Sequence, residues 1–173
     1  MANNEKRVAV ILGDGFEDSE FKIPYDRLHA AGFALDVIGA ERGQEIEGKN
    51  GKVTVRADKS IDEVRPEEYA ALLIPGGYSP DHLRADKRFV DFVKAFDRLG
   101  RPLAAVCHGP QILMTAGLVK GRTMTAWKTI QDDLRLAGAN VKDEPVVLDK
   151  NWITSRKPED LERFSEAIIK TLR

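Results

Sequence analysis

The chain has a single cysteine, Cys107, and three histidines, His29, His82 and His108, among its 173 residues. One cysteine excludes an internal disulfide framework and a multi-cysteine zinc site. The histidines are scattered without ligand spacing, so no metal centre is expected. No sign of charge is in excess: 27 Lys and Arg face 28 Asp and Glu, for a net charge of −1, with no basic block. A nucleic-acid or membrane-surface partner therefore has no electrostatic footprint. Long apolar runs are also missing. The longest are five or six residues, too short to span a bilayer. Residues 1–6 (Met-Ala-Asn-Asn-Glu-Lys) hold no apolar signal region, which predicts a cytoplasmic protein. At this length roughly 70% of the unfolded chain's surface is buried on folding. A single domain over residues 1–173 is expected.

Three short runs are apolar on consecutive residues: Val8–Leu12, Ala70–Ile74 and Leu103–Val106. Strands that bury one face alternate, whereas strands buried on both faces read continuously. Segments of helical period lie between them. Phe21, Tyr25 and Leu28 recur at i, i+4, i+7, with Pro24 inside the pattern, where a kink or late start is expected. Phe89, Val93 and Phe96 repeat the spacing behind a candidate N-cap, Asp86. Ile130, Leu134 and Ala137 do so before Gly138. Leu161, Phe164, Ile168 and Leu172 form a last stripe after Pro158. Asn50-Gly51 marks one hairpin, and Asp149-Lys150-Asn151 separates the arms of a second. Alternating strands and helices predict an open α/β sandwich, a mostly parallel sheet with helices on both faces.

In such sheets ligands bind beyond the carboxyl ends of the strands. Each apolar run ends in an unusual loop: Gly13 to Asp18, Pro75 to Asp81, and Cys107-His108-Gly109-Pro110. Parallel strands bring all three to one edge. Cys107 lies between a strand and a helix-like run, with Ala105 two residues before it and Gly109 two after. That is the steric pattern of a nucleophile elbow. A thiol facing the amides of a helix start is expected to be drawn toward its thiolate. A carboxyl beside the sulfur would carry protons, and Glu17, Asp14, Asp18 and Glu20 compete for that place on sequence alone. The imidazole of His108 need not meet the sulfur, because neighbours on a tight turn point apart. Gly76-Gly77 could be a simple turn or could let amides approach a ligand as an oxyanion site requires.

Other motifs fail. Gly13-Asp14-Gly15 begins a dinucleotide fingerprint, but Asp18 stands where its third glycine belongs. Gly51-Lys52 is followed by Val53, not the Ser or Thr of a P-loop, and no Gly-x-Ser-x-Gly occurs.

Ala105-Val106-Cys107-His108-Gly109-Pro110-Gln111, Gly15-Phe16-Glu17-Asp18-Ser19-Glu20 and Pro75-Gly76-Gly77 resemble the ThiJ/PfpI superfamily, specifically its PfpI branch. The likeness continues through Gly117–Arg122, Asp132-Asp133 and Thr154-Ser155-Arg156, so it covers nearly the whole chain. It implies a flavodoxin-like fold of the class I glutamine amidotransferase type. It matches Cys107 to the family nucleophile, Glu17 to the acid hydrogen-bonded to it, and the Gly76, Gly77 and His108 amides to the oxyanion region. In the family's peptidase proposal, His108 joins an acid from a neighbouring subunit; here that acid is Asp81, one methylene shorter than the glutamate of the peptidase prototype. Trp127 stands where that prototype has a pocket tyrosine. Homodimers that combine into hexamers are implied, and no cofactor.

Two functions follow from this resemblance, and the chemistry of an accessible thiol beside a carboxyl adds a third. One is a cofactor-free enzyme acting on reactive dicarbonyls or their protein adducts, as a glyoxalase or deglycase, through Cys107 and Glu17. Another is a cysteine peptidase with Cys107, His108 and an intersubunit Asp81. The third is a non-enzymatic oxidation sensor centred on Cys107.

Overall fold

The structure, a computed structural model, describes residues 6–173. The first five residues, on which the reading of the amino terminus mostly rests, lie outside it. The elements run β1 (Arg7–Ile11), α1 (Asp18–Ala30), β2 (Ala34–Gly39), β3 (Glu45–Glu47), β4 (Thr54–Arg56), β5 (Lys59–Ser60) and β6 (Ala71–Ile74). They continue α2 (Ser79–Leu83), α3 (Lys87–Arg98), β7 (Leu103–Val106), α4 (Pro110–Thr115), β8 (Thr123–Met124) and α5 (Gln131–Leu136). The chain closes with β9 (Asn140–Val141), β10 (Val146–Asp149), β11 (Trp152–Ser155) and α6 (Leu161–Leu172). Seven strands form the main sheet in the order β10-β11-β7-β6-β1-β2-β5, and only β10 runs antiparallel to its neighbour. This is the flavodoxin-like arrangement. The chain steps from β1 outward to β2 and then returns to β6 on the other side of β1, so the strand order reverses there. Such a reversal opens a crevice at the carboxyl edge.

The three continuous apolar runs are the three central strands, each buried on both faces. Ala9, Ile11, Leu72, Ile74 and Leu103 point into a core with α3 and α4, around Phe89, Val93, Phe96 and Ile112. Val8, Val10, Leu73, Ala104 and Val106 point the other way, onto Phe21 and Leu28 of α1 and Phe164 and Ile168 of α6. Each fully buried large side chain contributes about 1.5–3 kcal/mol. Among the described residues, no helix is long and apolar enough to cross a membrane.

Pro24 does not delay α1, which starts at Asp18. The proline removes one backbone donor, that which would bind the carbonyl of residue 20. Both hairpins form, β3 with β4 and β10 with β11. The sequence pattern did not reveal β2, because Asp36 interrupts its apolar run. The structure explains that acid: Asp36 accepts from Arg7 Nη1 at 2.7 Å and from the Tyr69 hydroxyl at 2.8 Å. A buried carboxylate so paired is tolerated inside a strand.

Candidate active site

The loops after β1, β6 and β7 meet as the sequence reading expects. Two are stitched together by backbone bonds: Glu17 N–H donates to the Gly76 carbonyl (3.2 Å), and Tyr78 N–H to the Gly15 carbonyl (2.8 Å). Both glycines of the second loop are required by space. A Cβ on Gly76 would lie 2.5 Å from Glu20 Oε1 and 2.9 Å from the His108 nitrogen. Gly77 has φ +74°, and a Cβ there would lie 2.3 Å from the Glu17 nitrogen.

Cys107 occupies the turn from β7 into α4 with φ +61°, a conformation costly for any residue bearing a Cβ. Its backbone is pinned on both sides. The Cys107 N–H donates to Ser155 O at the end of β11 (3.0 Å), and Cys107 O accepts from Trp127 N–H (2.9 Å). The sulfur is nearly buried, with 7% of the residue exposed. His108 Nδ1 lies 3.4 Å from Sγ, so the imidazole does meet the thiol. The ring is half-buried, and burial, aided by Lys49, holds its pKa below the usual value. It is neutral at physiological pH.

The acid beside the sulfur is Glu20, not Glu17. Glu20 is fully buried, and its Oε1 accepts from Gly76 N–H at 3.0 Å. Its Oε2 has no hydrogen-bond partner among the described residues, and the Cys107 thiol lies near enough for each group to act on the other's ionisation. Burial, reinforced by the nearby Glu17 charge, pushes Glu20 up to about 8, so it holds its proton at neutral pH. Glu17 turns outward instead. It caps α1, its Oε2 accepting from Ser19 N–H (3.2 Å) and Ser19 Oγ–H (2.8 Å), and its Oε1 pairs with Lys49 Nζ at 3.2 Å. Burial pushes against its charge, but Ser19 and Lys49 outweigh that and hold Glu17 below the ordinary carboxylate value. One acid thus carries a proton and the other a charge.

Helical period accounts for the exchange. Glu20 lies one turn before Pro24 and two before Leu28, on the buried face of α1, whereas Glu17 precedes the helix as its cap. Of the remaining competitors, Asp14 accepts from Glu47 N–H (3.1 Å). Asp18 takes the amides of Asn50 (2.8 Å), Lys52 (3.0 Å) and Val53 (2.9 Å). Those three bonds clamp the β3–β4 loop and set Lys49 over the site, a residue that sequence reasoning missed.

Two further expectations change. The Gly76 amide is spent on Glu20, so it is not a free oxyanion donor. The amides of Gly77 and His108 make no hydrogen bond to another residue among those described, apart from the His108 N–H, which faces the sulfur. The thiol, moreover, is not simply drawn down by the turn. Burial and the Glu20 carboxylate push Cys107 up, against the opposing pull of the His108 amide and Lys49. Once Glu20 is protonated its charge no longer acts on the sulfur, and the two groups titrate as one coupled pair.

Asp81 is exposed on α2, and among the described residues its side chain has no hydrogen-bond or ion-pair partner and no acid is hydrogen-bonded to His108. Trp127 packs beside His108, with ring centroids 6.3 Å apart. It also lines a cavity of about 620 Å³ with Gln131, Asp143, Arg156 and Pro158. Among the described residues, no three His, Cys, Asp or Glu side chains converge in a metal-binding group.

Comparison with known proteins shows the family and supports the fold. The sequence model of the DJ-1/PfpI family matches residues 6–171. The protein/nucleic acid deglycase 2 of Escherichia coli (strain K12) is 47% identical over 168 residues, covering 96% of this chain and 98% of that one. An uncharacterised protein of Staphylococcus aureus (strain Mu50) is 51% identical over 170 residues, with the same coverage. Among solved structures, a two-domain Anabaena variabilis protein with DJ-1/ThiJ/PfpI-like and ferritin-like domains superposes with a TM-score of 0.95 at 40% identity. The match covers 96% of this chain and 48% of that protein, so this chain spans about half its length. DJ-1beta of Drosophila melanogaster gives 0.90 at 28% identity, covering 97% and 90% of the two chains.

Proposed function

This chain belongs to the DJ-1/PfpI family, and on that premise, joined to the geometry above, we propose that it is a deglycase-like enzyme acting on reactive dicarbonyls and their adducts. The observation that carries the reading is the pairing of a nearly buried thiol with a buried, proton-bearing carboxyl at the carboxyl edge of the sheet. An inert structural cysteine needs neither a strained turn nor a protonated acid beside it.

The chemistry uses this chain's groups in order. Cys107 Sγ bonds to the aldehyde carbon of methylglyoxal, and the thiol proton ends on the former carbonyl oxygen, giving a hemithioacetal. In this reading the Gly77 and His108 amides, which have no backbone acceptor among the described residues, bind that oxygen while it carries charge. With an adduct on an amine, the same attack breaks the C–N bond, and the proton goes to the departing nitrogen. Glu20 gives its proton to the neighbouring ketone oxygen as it takes one from the sulfur-bearing carbon, and then gives that proton to the neighbouring carbon as it takes one from the hydroxyl on the sulfur-bearing carbon. The hemithioacetal becomes a thioester without external oxidant, and water then releases lactate and the thiol. A carboxyl held near 8 can serve in both directions at neutral pH. The half-buried Trp127 and the cavity beside it offer room for the larger part of an adduct.

Lactate formation from methylglyoxal tests the proposal. Cys107→Ser is expected to abolish it, and Glu20→Gln to reduce kcat about 10²–10⁴-fold, the range for a lost general acid–base. Lactate at the wild-type rate from either variant refutes the assignment.

A further inference from the structure

An ion pair stands at the mouth of the site, and the proposed chemistry does not use it. Lys49 Nζ lies 3.2 Å from Glu17 Oε1, and each partner is held from behind. Glu17 is fixed by the amide and hydroxyl of Ser19. Lys49 rides on the loop that Asp18 clamps, and its own N–H donates to the Phe16 carbonyl at 2.8 Å. Its ammonium sits 5.8 Å from the centre of the Tyr78 ring, an exposed aromatic at the rim. The cation is therefore pinned in place with a pinned counter-charge.

The field of this lysine is felt at Cys107, Glu20 and His108. Glu20 and His108 are uncharged at neutral pH in this setting. Lys49 acts on the sulfur, the acid and the imidazole, Glu17 acts on the acid, and the two charges oppose each other. Removing either one leaves the other unbalanced in a partly enclosed site, where screening by solvent is weaker than in bulk.

We propose that the Glu17–Lys49 pair is a specificity device that keeps the mouth of the Cys107 site electrically neutral, so that uncharged carbonyl electrophiles are selected over anionic ones such as α-oxo acids. The inference rests on Cys107 being the nucleophile and names the substrate class that reaches it. Glu17, read from sequence as the proton carrier, becomes the balancing charge that keeps Lys49 from acting as an anion receptor.

The test compares alkylation of Cys107 by iodoacetamide, which is neutral, with alkylation by iodoacetate, which is anionic, at pH 7.5, followed by mass spectrometry. In both reactions the same thiolate displaces iodide. The ratio of the two rates therefore cancels the thiolate fraction and any general loosening of the site. Glu17→Gln is expected to raise the iodoacetate-to-iodoacetamide ratio about fivefold, and Lys49→Met to lower it about fivefold. Lys49→Arg keeps the charge and should stay within about twofold of wild type. Both deviations should collapse in 0.5 M NaCl. Glu17→Ser and Lys49→Gln give the same pair of readings if a first variant does not fold. A ratio unmoved by both substitutions, or moved in the same direction by both, overturns the proposal. No turnover is measured, so a shifted ratio without lactate formation counts against the activity alone, and a flat ratio in an active enzyme against the charge balance alone.

Discussion

Replacing Glu20 by glutamine should change how stability depends on pH, by an amount the structure sets. In the unfolded chain the carboxyl ionises near 4.5; in the folded chain it does so near 8. Between those values the native state holds a proton that the unfolded state has released, so stability must fall as pH rises. The loss begins near 4.5, proceeds at about 1.4 kcal/mol per pH unit, and is complete near 8, roughly 5 kcal/mol in all. Glutamine can still accept from the Gly76 amide and has no proton to lose. Urea denaturation followed by far-UV circular dichroism, repeated from pH 4.5 to 9, gives the stability of both proteins. Titrating groups that do not interact with Glu20 are common to the two and cancel in the difference, and Cys107, which does, is held above its ordinary value by burial and keeps its proton through most of the window. That difference should move in favour of Glu20→Gln by several kcal/mol across the window. A difference that stays flat would mean Glu20 ionises normally in the fold, and the argument for a proton-bearing acid would fail. The opposite sign belongs to Glu17, whose depressed value gives stability that is present above 4.5 and lost as pH falls.

Two further outcomes test the scaffold. Asp18→Ala leaves three loop amides without their acceptor, and should cost about 2–4 kcal/mol in urea denaturation. It should also release the amides of Asn50, Lys52 and Val53 to fast hydrogen exchange, and unchanged protection there would refute the clamp. Gly77→Ala forces a Cβ against the Glu17 amide at positive φ and should cost at least about 2 kcal/mol, with lost Cys107 reactivity; a silent substitution would show that the two loops are free to separate.

Much of the architecture could be read from local pattern. Consecutive apolar residues in Val8–Leu12 and Leu103–Val106 sufficed for strands buried on both faces, and small neighbours around Cys107 for a tight turn. What escaped depended on contacts distant in sequence. Strand β2 was hidden by Asp36, whose charge is satisfied by Arg7 and Tyr69, one before it and one after it in the chain. Lys49 reaches the site because Asp18 and the Phe16 carbonyl hold its loop from more than thirty residues away. Glu20 is different, since its helical spacing to Pro24 and Leu28 already put it on the inward face. Motif matching favoured Glu17; the periodicity of α1 favoured Glu20, and packing agrees with the period.

Direct titration of the Glu20 side chain decides the matter. With glutamate labelled at its carboxyl carbon, Glu20→Gln identifies the Glu20 resonance by its disappearance, and the wild-type shift is followed from pH 3 to 10. A midpoint near 8 is predicted, displaced when Cys107 is replaced by serine. A midpoint near 4.5 that ignores residue 107 would contradict a proton-bearing acid coupled to the sulfur.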